Sequence, residues 1–126
     1  VKLMPKLEKV NLKQKFALFN DHWGPKIVGQ IDDYHVKLAK IQGEFIWHKH
    51  DDVDELFLVV GGQFTMKLRD AAIVLQEGEM IVIPAGLEHC PVAEEECHIM
   101  MIEPVGTLNT GNIEASDKTV HELDHI

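Results

Sequence analysis

The chain of 126 residues has only two cysteines, Cys90 and Cys97, too few for a disulfide framework. A reducing compartment, the cytoplasm, is the expected location. Basic residues are scarce as well, with 12 Lys and Arg against 21 Asp and Glu, a net charge of −9. That balance argues against nucleic acid or an anionic membrane as partner, because both recruit a cationic patch. No apolar run is long enough to span a bilayer, and no charged-then-apolar leader pattern of secretory type is present. Internal repeats, linkers and a second domain are also missing. What remains is 45% apolar, enough for one domain to bury a core of its own.

The most informative residues are His48-Lys-His50, with Glu55 five residues on and His89 downstream. Residues i and i+2 of a strand point to one face, so His48 and His50 can share an ion if their segment is extended. Glu55 follows the polar turn Asp51-Asp52-Val53-Asp54 and opens the apolar run Leu56-Phe57-Leu58-Val59-Val60. An unpartnered carboxylate facing inward at the head of such a run would be costly, which favours a ligand role. The aspartates read as a solvated turn. Three imidazoles and a carboxylate suit Zn, Fe, Ni, Mn or Cu alike, so the donor set points to a divalent transition metal without naming it.

The period of the sequence changes at Gly24-Pro25. Before it, Asn11 can cap a short helix with Leu12, Phe16 and Phe19 on one face. After it, short alternating runs predict strands over 26–31, 34–41, 44–49, 55–60, 63–69, 72–75, 80–83 and 98–103. Turn chemistry separates them at Asp32-Asp33, Gly61-Gly62, Glu77-Gly78 and Pro84-Ala-Gly86. The expected organisation is a helical extension over 1–24, a barrel over 25–104 and an extended C-terminal tail over 105–126 that packs weakly or on a partner subunit.

Two stretches resemble the paired motifs of the cupin superfamily. The first runs from Gly43 through His48, His50 and Glu55 to Gly62, with four residues rather than five between Gly43 and His48. The second, Gly78-Glu-Met-Ile-Val-Ile-Pro84-Ala-Gly86-Leu-Glu-His89, keeps the family spacing, with Ala93 where the pattern ends in Asn. The resemblance implies an all-β fold: a single jelly-roll-like cupin β-barrel with a short N-terminal helix and an extended C-terminal tail. It also implies His48, His50, Glu55 and His89 as metal ligands, and a small oxygen-containing metabolite as the ligand of the barrel. Many chemistries share this fold. An enzyme of this kind would be a metal-dependent dioxygenase or a sugar-type isomerase; the alternative is a non-catalytic small-molecule-binding or sensor cupin.

Candidate catalytic groups are His98, in a strand expected near the second motif, and Tyr34 and His35, of which only one can face inward. Lys37, Lys40, Lys67 and Arg69 are the cations that could clamp a phosphate. Cys90 reads as a small buried apolar residue, and a Cys90–Cys97 bridge would need a hairpin between them. By parity with the histidines, Phe45 and Trp47 are expected to face outward, under a helix or a partner subunit. The same parity argument gives Ile46, Phe57, Val59, Met80 and Val82 as pocket walls. A homodimer is expected.

Overall fold

The computed structural model describes residues 7–126 and contains one short helix and eight strands. Helix α1 (Leu12–Phe16) starts where Asn11 accepts a hydrogen bond from the Gln14 amide at 2.9 Å. It is too short to be stable alone, so packing must hold it. Phe16 and Phe19 bury against Leu38, with Val60, Met100 and Ile126 around them. Each ring so buried contributes roughly 1.5–3 kcal/mol.

The strands are β1 (Lys26–Ile31), β2 (Tyr34–Glu44), β3 (Glu55–Gly61), β4 (Gln63–Leu68), β5 (Ala72–Gln76), β6 (Met80–Ile83), β7 (His89–Pro104) and β8 (Asp124–His125). Strand β7 organises them. Along its length it pairs antiparallel with β2, its first residues pair with β4, and its last pair with β3, which in turn pairs with β6. One long strand is thus common to both walls of the barrel.

Side-chain alternation sorts the residues cleanly on these strands. Ala39 and Ile41 of β2, Phe57 and Val59 of β3, and Cys97, Ile99 and Met101 of β7 fill the interior. Their sequence neighbours Leu38, Leu58 and Met100 lie on the outer face. Met80 and Val82 belong to that outer face too, 54% and 49% exposed, and do not line the pocket as expected. Their register partners are Leu58 and Leu56, so they follow the outward phase of β3, whereas Ile81 and Ile83 follow Phe57 and Glu55 inward.

The segment after Pro104 is not weakly packed. Thr110 is fully buried and its hydroxyl bonds to the Ile113 carbonyl and to Thr119 at 2.8 Å. Asp124–His125 add as a parallel strand beside β1, and the Ile126 amide donates to the Ile27 carbonyl at 3.0 Å. Its polar composition hid this, because the segment is held by backbone and hydroxyl hydrogen bonds and not by an apolar stripe. Among the described residues no helix is long and apolar enough to cross a membrane.

Candidate metal centre

The approach to the site is irregular. At Gly43 the backbone takes φ +84°, where a side chain would be strained, and the β2–β7 register shifts between Ile41 and Gly43. Residues 45–50 therefore form no continuous strand, only an isolated bridge in which His48 and His89 exchange backbone hydrogen bonds of 3.1 and 2.9 Å. The His50 carbonyl accepts from the Gly86 amide at 2.8 Å. Across the turn, Asp54 accepts from the Ala85 amide at 2.9 Å, which docks the first motif on the second.

This docking brings His48, His50, Glu55 and His89 together, with one ligand atom from each lying within 4.8 Å of the others. All four are buried. The imidazole orientations are fixed by the chain itself. His48 Nδ1 bonds to the Ile46 carbonyl and His89 Nδ1 to the Leu87 carbonyl, both at 2.9 Å. A carbonyl only accepts, so Nδ1 carries the hydrogen and Nε2 presents a lone pair.

His50 Nε2 and His89 Nε2 each lie 3.4 Å from Glu55 Oε1, and none of these three buried atoms has a hydrogen-bond partner. Such a separation is long for a hydrogen bond. It matches what two donors show when each sits about 2.1 Å from one cation, roughly 3.0–3.4 Å apart. Lone pairs turned toward a carboxylate in a dry site need a positive charge between them, and a divalent ion fits that demand.

Electrostatics agree. Burial, reinforced by the neighbouring His89 ring, lowers His48 to about 4, so it is a neutral donor at pH 7. Burial alone would raise Glu55, yet the neighbouring Glu103 carboxyl and the His50 and His89 rings hold it well below the usual carboxylate range. Glu103 is the inner-face residue one step beyond the Leu56–Ile102 pair. Lys37 Nζ donates to Glu103 Oε1 at 2.6 Å, and both residues are 1% exposed. Two buried carboxyls thus share one buried cation. Burial and the charge on Glu55 raise Glu103 well above its ordinary range, so the remaining proton sits on Glu103.

Beside His48 and Glu55 lies a chamber of about 30 Å³, walled by Trp23, Phe45, Phe57, Ile99, Met101 and Asn109. Phe45 faces inward, contrary to parity. Its ring stacks on Trp23 at 4.6 Å and meets His48 edge-on at 5.2 Å, because the irregular 45–50 segment breaks the alternation counted back from His48. Trp47 does face outward, with the Arg69 guanidinium 3.9 Å over its ring and Lys67 Nζ at 5.9 Å. A larger cleft of about 290 Å³ adjoins His50 and is bounded by Asp52, Val53, Thr107, Leu108 and Asn112.

The three catalytic candidates do not converge on the cluster. His98 is on the outer face, stacked on Phe16 at 4.5 Å and 3.2 Å from Glu96. Tyr34 is half exposed at the start of β2, and His35 sits near His125, with ring centroids 6.1 Å apart. The proposed phosphate clamp is also spoken for. Lys40 Nζ bonds the Phe19 carbonyl at 2.6 Å, Lys67 pairs with Glu44, Arg69 with Glu88, and Lys37 with Glu103. Cys90 and Cys97 are free and fully buried on the single strand β7, not across a hairpin. Seven residues of strand hold them about 23 Å apart, too far to bridge.

Sequence reasoning missed Trp23, Glu103 and Asn109, and it weighed Lys37 as a phosphate clamp and not as the buried partner of a carboxyl. Trp23 announces itself only as an aromatic ahead of Gly-Pro. The burial of Lys37 and Glu103 depends on cross-strand register, which neither residue's neighbours in sequence reveal.

Comparison with known proteins agrees with this geometry. The family model described as Cupin domain matches residues 34–103. An uncharacterised protein of Bacillus subtilis, YdbB, is 34% identical over 79 residues, 62% of this chain; the match spans 64% of that relative's length. A cupin-2 domain containing protein from Shewanella frigidimarina is 53% identical, with a TM-score of 0.75 over 75% of this chain and 93% of that one. Protein NMB1881 from Neisseria meningitidis is 32% identical, with a TM-score of 0.71 over 77% of this chain and 99% of that one.

Proposed function

The chain belongs to the cupin superfamily, and from that premise we propose that it holds one divalent transition-metal ion on His48, His50, Glu55 and His89 and binds a small oxygen-bearing molecule there. One observation carries the proposal: the buried donor atoms of His50, Glu55 and His89 have no hydrogen-bond partner and converge with His48 on one point, and the backbone fixes the His48 and His89 tautomers. A bound ion would act as a Lewis acid on a carbonyl or hydroxyl, or bring substrate and dioxygen together. The chain's own part is to orient the donors, keep His48 neutral and exclude water with Trp23, Phe45 and Phe57. Since the nearby cations are committed to other partners, an uncharged ligand suits the site better than a phosphosugar.

Metal analysis of protein made without added metal is expected to give close to one ion per chain, and His50→Ala to empty it. A content far below one that His50→Ala leaves unchanged would sink the proposal. Stripping the ion with a chelator is expected to lower the melting temperature by mass action. For the chemistry, the Fe(II)-loaded protein is exposed to oxygen and a panel of small phenols, keto acids and sugars. Oxygen uptake that depends on a panel compound supports a dioxygenase, and rearrangement without oxygen uptake supports an isomerase. Binding without turnover supports the second reading, a non-catalytic small-molecule-binding or sensor cupin.

A homodimer is proposed through the outer sheet face. There Val82, Leu56 and Ile102 form one cross-strand row and Met80, Leu58 and Met100 the next. Such a contiguous apolar face is what a second copy would cover. The double variant Met80→Glu/Val82→Glu is expected to sediment as a monomer with its metal content intact. A wild type that is itself monomeric would refute the dimer.

A further inference from the structure

The segment that carries two of the four ligands is held from two sides by different parts of the chain. On one side the second motif grips its ends: His48 exchanges both backbone hydrogen bonds with His89, and the His50 carbonyl takes the Gly86 amide. The residue between them, Lys49, turns its own backbone groups the other way. Its amide donates to Asn112 Oδ1 at 2.9 Å, and its carbonyl accepts from the Asn112 amide at 2.9 Å. Asn112 thus completes a closed ring of two hydrogen bonds around the middle of the His-x-His segment.

The neighbouring Gly111 explains how the tail comes so close. It adopts φ +55°, and a Cβ there would collide with the Lys49 carbonyl and lie 3.2 Å from His48 Cδ2. Only glycine lets the backbone rest against a ligand imidazole in this way.

The strap is braced behind this contact. Gly111 and Ile113 amides donate to the Leu108 and Thr110 carbonyls at 2.9 and 3.0 Å. Asn109 binds the Lys118 carbonyl at 2.7 Å and the Val120 amide at 2.9 Å, and it also reaches the wall of the metal-side chamber. Buried Thr110 meets Thr119 in the same brace. A segment fixed at so many points transmits its position to Lys49 and, through one bond on either side, to His48 and His50.

We infer that the C-terminal strap positions the metal ligands, with Asn112 as the positioning residue and Gly111 as the contact that lets it seat. Without the Asn112 ring, Lys49 would be free to swing, and the two imidazoles flanking it would lose their common aim. Groups that orient ligands typically contribute 10–100-fold to metal affinity. The inference rests on the metal-binding role proposed above.

The test titrates Zn²⁺ into the metal-free full chain, wild type and variants, and reads affinity alongside the melting temperature of each metal-free protein. Asn112→Ala is expected to bind zinc at least 10-fold more weakly. Asn112→Asp keeps an oxygen acceptor for the Lys49 amide and its own amide donor, and is expected to stay within about 3-fold of wild type. Should Asn112→Ala not fold, Thr119→Val loosens the brace without touching Lys49 and is expected to weaken zinc in the same direction, about 3-fold. A wild type that binds one zinc, with folded variants that melt lower but bind it equally well, would show the strap to be purely structural and overturn the inference alone. A wild type that takes up no zinc overturns the metal-binding proposal, and the inference falls with it.

Discussion

Lys37→Met is expected to destabilise the metal-free protein by about 3–5 kcal/mol, the largest effect of any single substitution considered for this chain. Lys37 and Glu103 are each 1% exposed and joined at 2.6 Å, and Glu103 keeps its proton beside ionised Glu55. In the native interior one cation therefore balances one anion, and a single proton separates the two carboxyls. Removing Lys37 leaves that negative charge without a counter-charge in a medium that solvates it poorly. Glu103→Leu alone has the mirror defect, an ammonium stripped of its acceptor. The double variant Lys37→Met/Glu103→Leu replaces both with apolar groups of similar volume and is expected to recover most of the loss. Urea unfolding of the four proteins completes the cycle. Strict additivity of the two single losses would mean the buried pair is not coupled.

Acid should act on the metal-free protein with a comparable size. His48 falls from its ordinary 6.5 to about 4 in the folded chain, chiefly through burial and then through the His89 ring. Below pH 6.5 the unfolded chain takes up a proton that the folded chain refuses until about pH 4. The stability tied to a neutral His48 is therefore complete above pH 6.5 and is lost as pH falls toward 4. The full loss is about 3 kcal/mol. Other carboxylates also titrate in this range, so the informative quantity is the difference between wild type and His48→Gln. That difference is expected to shrink by about 2–3 kcal/mol between pH 7 and pH 4.5 in chelator-treated samples. A difference that stays flat would show that the His48 ring is solvated in the folded chain.

The strands and the ligand set were legible in the sequence because both depend on short spacing. His48 and His50 two apart, Glu55 opening an apolar run, and turn residues between runs are local signals. Even the helix could be read, from Asn11 and the Phe16/Phe19 face. What could not be read depends on residues far apart in sequence. The inward turn of Phe45 follows from the irregular backbone over 45–50, and parity does not carry through a segment that is not a strand. Met80 and Val82 were assigned to the wrong face because an isolated four-residue strand carries no marker of which side is buried. Lys37 pairs with a residue 66 positions away, and nothing near either one announces the other. Strand β7 was expected at 98–103 and in fact starts at the ligand His89 and runs through Glu94-Glu95-Glu96. Those glutamates are exposed.

The placement of both thiols on that one strand gives the protein a built-in pair of opening reporters. Burial raises Cys97 to about 11, and burial with the nearby Glu44 charge raises Cys90. It is the thiolate that attacks a thiol reagent, so two buried, protonated thiols resist labelling at neutral pH while the strand is in place. Cys90 pairs with Lys67 beside the metal ligand His89, whereas Cys97 pairs with Ile41 in the middle of the strand. Their labelling rates thus measure two separate local openings of a single strand. Ion binding should slow the first far more than the second, so the mechanical reach of the metal along the barrel can be timed without any engineered probe.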